Sequence, residues 1–239
     1  MDQFPRMRSE KIPVLRRSLA AAVGGLAVFL VCQSMAEDLV PAGIRVIRLE
    51  GPVRCSLDGG NTWKMLKKGE VLHPGVLVET AREKSLVDLQ LSGSSVGKPR
   101  AAWQSPDANL VRLYANSALE LKNVSGKSSD PSRVEEVNLD LRSGQVLAKV
   151  AQTSPPSRYE MTVPKGAVGP PHGAPQRAST VFVLKASGDL TVFTGSMVIA
   201  NVDTDVHTQL VSAGEKFEVA TGKVSQLLPD DPESKLWPP

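Results

Sequence analysis

Apolar side chains recur at every second position along most of the chain, and this spacing limits it to strands. The sets are Ile44, Val46 and an offset Leu49; Val87, Leu89 and Leu91; Leu119 and Leu121; Val137, Leu139 and Leu141; Val146, Ala148 and Val150; Tyr159, Met161 and Val163. Neighbouring side chains on a strand point to opposite faces. Each set therefore lines a buried face, and the intervening Asp88, Gln90, Glu120, Asn138, Asp140, Lys149 and Glu160 are expected to face water. Residues 181–184, and to a lesser degree 190–193, are apolar at consecutive positions, the pattern of a strand covered on both sides, so the core is expected to centre there. Beyond the first 36 residues no window shows a 3.6-residue apolar period over three turns, and Gly or Pro interrupts nearly every ten residues. The expected fold class is all-β, with about 14 short strands.

Glycine followed shortly by an apolar residue recurs at strand starts, in Gly51-Pro-Val53, Gly75-Val76, Gly144-Gln-Val146, Gly195-Ser-Met-Val198 and Gly222-Lys-Val224. Tight turns that need a positive φ favour glycine, so these positions mark reversals of the chain. Their irregular spacing gives little support to a true repeat array. Residues 92–109, 123–133 and 164–179 lack strand character and predict three long loops, the last with four Pro and three Gly. Residues 227–239, rich in Pro and ending near a lone Trp237, predict an extended, poorly packed tail.

The N-terminus has the three-part layout of a secretory signal peptide. Residues 1–17 are basic, residues 19–32 form a 14-residue apolar run, and Ser34-Met35-Ala36 places small residues where a signal peptidase reads before Glu37. A spanning helix needs about 20 apolar residues to cross about 30 Å of hydrocarbon, and this run is shorter and holds Gly24 and Gly25. The expectation is cleavage between Ala36 and Glu37 and a periplasmic or secreted domain. The alternative is a membrane-anchored sensor that keeps the segment. Arg16-Arg17 also fits a twin-arginine signal, with Leu15 where a small hydroxyl residue is usual, and Val31 before Cys32 is not the small residue a lipid anchor needs.

Charge and cysteine content follow from that cut. Of 28 basic and 25 acidic side chains, five and two lie in the first 36 residues, leaving 23 of each. The basic excess belongs to the export segment, and no nucleic-acid partner is expected. Only Cys55 remains, so no disulfide within the chain is available and a buried, inert thiol beside Val53 is expected. Stability must come from the core, and a domain of about 200 residues removes about 70% of its unfolded surface from water.

Ser56-Leu-Asp58-Gly-Gly60-Asn-Thr62-Trp63 fits the Asp-box pattern found in the β-hairpins of sialidase propellers. Its chemistry is that of a turn: Asp58 accepts backbone N–H bonds, Gly60 supplies a positive φ, and Trp63 packs back on the sheet. As an enzyme signal it is poor, because Tyr114 and Tyr159 are the only tyrosines to serve as nucleophile, and neither has arginines and acids around it in sequence. A secreted glycan hydrolase stays as an alternative on this motif and Trp103. His73, His172 and His207 have no partners at ligand spacing, so neither a metal nor another cofactor is expected. No nucleophile elbow or phosphate-cradling loop is present either, and no catalytic residue is named. Arg100 and Trp103 in one long loop, His172 in another and Trp237 in the tail are the candidate partner contacts.

The order of the pieces carries more than any one of them. A glycine-bounded strand and the DGGNTW hairpin lead to Leu66-Lys-Lys-Gly69, Leu72-His-Pro-Gly75-Val-Leu-Val-Glu-Thr80 and Ser85-Leu-Val-Asp-Leu-Gln-Leu91. Then come Val111-Arg-Leu-Tyr-Ala-Asn116-Ser117-Ala-Leu-Glu-Leu121, Leu139-Asp-Leu-Arg-Ser-Gly144-Gln-Val and Tyr159-Glu-Met-Thr-Val-Pro164. Over residues 42–226 the chain resembles the FecR family, an extracytoplasmic β-rich module of transmembrane regulators of iron uptake. The resemblance implies short strands in a solenoid-like or sandwich arrangement, with Asn116, Ser117, Gly144, Ser179 and Thr180 at family-motif positions. Where family members usually have Gly-Thr before an aromatic strand, this chain has Ala178-Ser179-Thr180 after a Pro/Gly insertion. Those regulators also carry a cytosolic anti-sigma domain ahead of the membrane helix. Only residues 1–17 precede the apolar run here, too few to fold one, so sigma-factor signalling is not inherited from the resemblance. The expected role is non-enzymatic: an exported FecR-like domain that binds another envelope protein or a cell-wall polysaccharide, touching membrane only through an uncleaved signal segment.

Overall fold

The computed structural model describes residues 39–91, 99–127, 130–151, 157–171, 179–201 and 207–237. The signal peptide read over residues 1–36, its cleavage position at Ala36 and Glu37, and His172 lie outside them. The described residues are all-β, as expected, with nineteen strands rather than about 14. The additional strands are short. Two-residue pieces such as Lys64–Met65 and Val71–Leu72 cannot display a period of two.

The strands, numbered along the chain, form two sheets. The first contains β1 (Leu39–Pro41), β3 (Val53–Ser56), β4 (Lys64–Met65), β6 (Val76–Thr80), β9 (Ala118–Lys127), β10 (Asp130–Ser143), β12 (Arg158–Val163), β13 (Gly166–Gly169), β16 (Ser196–Asn201) and β17 (His207–Ser212). The second contains β2 (Ile44–Glu50), β5 (Val71–Leu72), β7 (Leu86–Gln90), β8 (Leu110–Leu113), β11 (Gln145–Val150), β14 (Thr180–Lys185), β15 (Leu190–Thr194), β18 (Glu215–Glu218) and β19 (Lys223–Gln226). The first sheet is ordered β17-β16-β13-β12-β10-β9-β6-β3-β4, with β1 beside β9, and the second β19-β18-β15-β14-β11-β8-β7-β2-β5. Both orders run nearly in step with the sequence, as in a solenoid, yet the two sheets face each other across one core, as in a sandwich. Every neighbouring pair is antiparallel except β10 and β12.

The alternating sets behave as read. Ile44, Val46, Val87, Leu89, Leu119, Leu121, Leu139, Leu141, Val146, Val150 and Met161 all enter the core between the sheets. Within residues 181–184, Phe182 and Leu184 enter that core, while Val181 and Val183 enter a second cluster on the outer face of the second sheet. The outer face of the first sheet is wet as expected, with ion pairs Arg142–Glu120 at 2.8 Å and Lys122–Asp140 at 3.2 Å.

Where the chain crosses between sheets, glycine is required by space as well as by φ. Gly144 joins β10 to β11 at φ 79°, and a Cβ there would stand 2.5 Å from the Asn116 carbonyl oxygen. Gly195 joins β15 to β16 at φ 74°, where a Cβ would stand 3.0 Å from Thr180 Cα. Successive crossings are stitched by hydroxyls. Thr80 donates to the Tyr114 carbonyl at 2.6 Å and accepts from the Ser117 N–H at 2.9 Å. Ser117 in turn donates to the Gln145 carbonyl at 3.0 Å and accepts the Gln145 N–H at 2.9 Å.

Several expectations are corrected on the outer face of the second sheet. The stretch read as a loop over residues 92–109 contains helix α1 (Pro99–Gln104), and the tail read as extended contains a 3₁₀ turn (Pro232–Leu236). Both lie against the sheet, where Ala102 and Trp103 join Ile47, Leu110, Leu147, Val181 and Val183, with Leu236 and Trp237 packed beside them. The tail is held as well by ion pairs of Lys185 with Glu233 and of Lys216 with Asp231, the latter at 3.0 Å. Asp88, Gln90 and Lys149 are therefore buried rather than wet. Residues 123–127 and 130–133 are not a loop either, because β9 and β10 continue through them as a hairpin. In the third predicted loop, residues 166–169 form β13.

Candidate functional site

The Asp-box hairpin is closed upon itself. Ser56 donates its hydroxyl to Asp58 Oδ1 at 2.6 Å and accepts the Gly60 N–H at 2.8 Å. Asp58 also accepts the Thr62 N–H at 2.9 Å and the Thr62 hydroxyl at 2.6 Å. Gly60 has φ 108°, and Trp63 lies under the Arg54 guanidinium of β3, 4.3 Å from the ring centroid. Hydrogen bonds from Ser56 and Thr62 hold the Asp58 carboxyl well below the usual carboxylate range. A carboxylate whose folded pKa is depressed contributes stability above its unfolded pKa and loses it only as pH falls through the folded one. Amide-exchange protection at Thr62 should therefore persist as pH falls through about 4, the unperturbed aspartate value, and disappear at any pH in Asp58→Ala. Early loss in the wild type would contradict the geometry.

The family-motif positions converge on the row of crossings. Asn116 takes φ 58° and donates its side-chain amide to the Arg82 carbonyl at 3.2 Å. Gly144 lies against Asn116 and the adjoining Ser117 from the next rung, while Thr180 is buried against Gly195 and the Ser179 carbonyl accepts the Thr194 hydroxyl at 3.1 Å. These positions shape the backbone. Beside them lies a shallow, open groove of about 990 Å³, lined by Glu50, Lys84, Tyr114, Gln145, Lys185 and Ser187 among others. Of this lining the sequence marks Gly144 and Tyr114 for other roles and gives no sign of Lys185 or Ser187, whereas Lys84, with φ 49°, is unusual among non-glycine residues. Burial pushes the Tyr114 hydroxyl above its ordinary range, against an opposing pull from Arg112.

The proposed loop contacts divide. Trp103 is only 3% exposed and cannot reach a partner from there. Its indole N–H donates to Asp88 Oδ2 at 3.2 Å, and its ring meets Trp237 edge-on at 6.2 Å between centroids. Arg112 pairs with both Asp88 oxygens, at 2.6 and 2.8 Å. Burial opposes the charge on Arg112, but the Asp88 carboxylate outweighs it and pushes the guanidinium above its usual value. Lys149 donates to the Trp103 carbonyl at 2.8 Å and to the Ser105 carbonyl, satisfying the otherwise open end of α1. Burial lowers the Lys149 pKa, and Asp107 partly offsets this. Trp237 is half-buried; Arg100 is exposed on α1, and His73 is exposed in the turn after β5.

Two further groups named in the sequence lie in the core. Tyr159 is buried with its ring edge-on to Phe182 at 6.4 Å, and burial drives its hydroxyl well above the ordinary range. Cys55 is buried on β3, and burial pushes its thiol up. Among the described residues, no three His, Cys, Asp or Glu side chains cluster as metal ligands.

No family model and no curated protein matches the chain. Among solved structures it is similar to a crystal structure described as a proposed anti-sigma factor from Parabacteroides distasonis, with 12% identity, a TM-score of 0.34 and 59% of each chain covered. The chain thus spans 59% of the length of that structure, and a likeness of this degree transfers neither activity nor partner.

Proposed function

We propose that the chain is a FecR-like extracytoplasmic domain, exported by its N-terminal segment, that binds another envelope protein without turning over a substrate. The observation that supports this reading is the open groove along the crossings. It is shallow, mixes lysine, glutamate and tyrosine, and adjoins the rigid row that holds Asn116, Ser117 and Gly144. Contact residues presented by turns on a rigid scaffold suit recognition. Two carboxylates are engaged within the fold: Asp58 closes its own turn, and Asp88 is occupied by Arg112 and Trp103.

A photo-crosslinking amino acid at Ser187, on the groove, should give a discrete adduct with one envelope protein in cells. The same probe at Glu160, exposed on the first sheet, should give none. An adduct with cell-wall polysaccharide would replace the protein partner by the polymer. Absence of any Ser187 adduct, or glycan turnover by the purified domain that is lost in Glu50→Gln, would overturn the reading.

A further inference from the structure

Among the described residues four strands end the two sheet orders, the three-residue β1 adds a short edge beside β9, and three of the four are blunted. β4 and β5 have two residues each, and β19 has four and carries Lys223. Short length and lysine are common means by which edges avoid pairing with other chains. β17 differs. It runs for six residues, His207-Thr-Gln-Leu-Val-Ser212, in unbroken register with β16, and contains no Asp, Glu, Lys, Arg or Pro.

The ladder shows which backbone groups remain open. Ala213 N–H donates to the Gly195 carbonyl at 3.0 Å, so Val211, Gln209 and His207 continue the bonding toward β16 at two-residue steps. The N–H and C=O groups of Thr208, Leu210 and Ser212 then point to the free edge. One of them is already capped, since Glu215 Oε2 of β18 accepts the Ser212 N–H at 2.8 Å. Glu215 has no cationic partner among the described residues; its other contact is the Gln226 side-chain amide at 3.4 Å. Leu210 is 54% exposed beside this edge.

The opposite sheet selects the occupant. β17 packs across the interior against β15 and β18, so β19 lies one strand further out than β17. A second copy paired through β17 about a two-fold axis would drive its own β19 into this one. A single strand meets no such obstacle and would lie above Val224, which is half-buried on the core side of β19.

We propose that β17 is a strand-addition site for one extended segment of a partner protein, apolar at alternate positions and with a Lys or Arg seated on Glu215. Main-chain bonds to Thr208 and Leu210 supply the binding, and the Glu215 carboxylate selects the basic residue. This rests on reading the chain as an interaction domain and names the kind of partner.

The test is selection of a random peptide phage library on the purified protein. Enriched sequences should alternate apolar and polar residues around a Lys or Arg. Binding of a fluorescent synthetic copy should fall at least ten-fold in Leu210→Pro and several-fold in Glu215→Gln. Leu210→Pro removes only an N–H that faces solvent, so the fold should survive, which circular dichroism checks. No enrichment, peptides that bind Leu210→Pro equally well, or dimerisation of the wild type abolished by Leu210→Pro would each overturn the proposal. Ser187 crosslinking in the Leu210→Pro background separates the two readings: an adduct that persists while peptide binding fails leaves the interaction domain standing without this edge.

Discussion

Asp88→Ala should cost about 3–5 kcal/mol of folding stability, because it strands a buried guanidinium and an indole N–H together. The Asp88 side chain is fully buried and that of Arg112 is 7% exposed, so water cannot replace the lost partner. The same replacement at an exposed pair such as Arg54–Glu79 should cost no more than about 1 kcal/mol. Urea unfolding followed by tryptophan fluorescence measures both. Replacing Asp88 and Arg112 together by leucine should recover most of the loss, since an apolar pair leaves no charge uncompensated. A loss below about 1 kcal/mol for Asp88→Ala would mean that α1 is held by its apolar contacts alone.

Gly144→Val should be nearly as damaging, at about 3 kcal/mol or more, combining strain at positive φ with a collision against the neighbouring crossing. The atoms in the way are the Asn116 carbonyl oxygen and Ser117, both part of the bonded row, so relief would break the bonds to Gln145. Gly69 provides the control. It also has positive φ, at 85°, but an added Cβ there meets nothing within 4 Å, so Gly69→Ala should cost only about 1 kcal/mol. Thermal unfolding of Gly144→Ala beside Gly69→Ala separates crowding from backbone strain, and equal losses would refute the role assigned to the crossings.

The fold class was legible because the buried face repeats locally. Val87, Leu89 and Leu91 announce their strand whatever lies across the core. What covers the other face is not local. Asp88 and Lys149 alternate correctly with apolar neighbours and are buried only because α1 and the tail, which belong to neither strand, close over them. Helix α1 has six residues, too few to show an apolar stripe, and the prolines of the tail hid the packing of Leu236 and Trp237. The Asp-box was readable down to individual hydrogen bonds, since Ser56, Asp58, Gly60 and Thr62 meet one another. The groove was not, because Lys84 in a turn and Lys185 at the end of β14 lie a hundred residues apart and share no motif. The glycines between strands were read correctly as reversals, but the sequence does not tell which of them also touch a neighbouring rung.

The near-sequential strand order has a mechanical corollary. Each rung rests chiefly on those just before and after it, so cohesion is set by nearest neighbours, and the two extremities have half the support of the middle. Fraying should therefore begin at β17 to β19 and at β4 and β5, while β9 to β12 open last. A chain laid down this way can loosen or recruit material at a terminus without disturbing its centre.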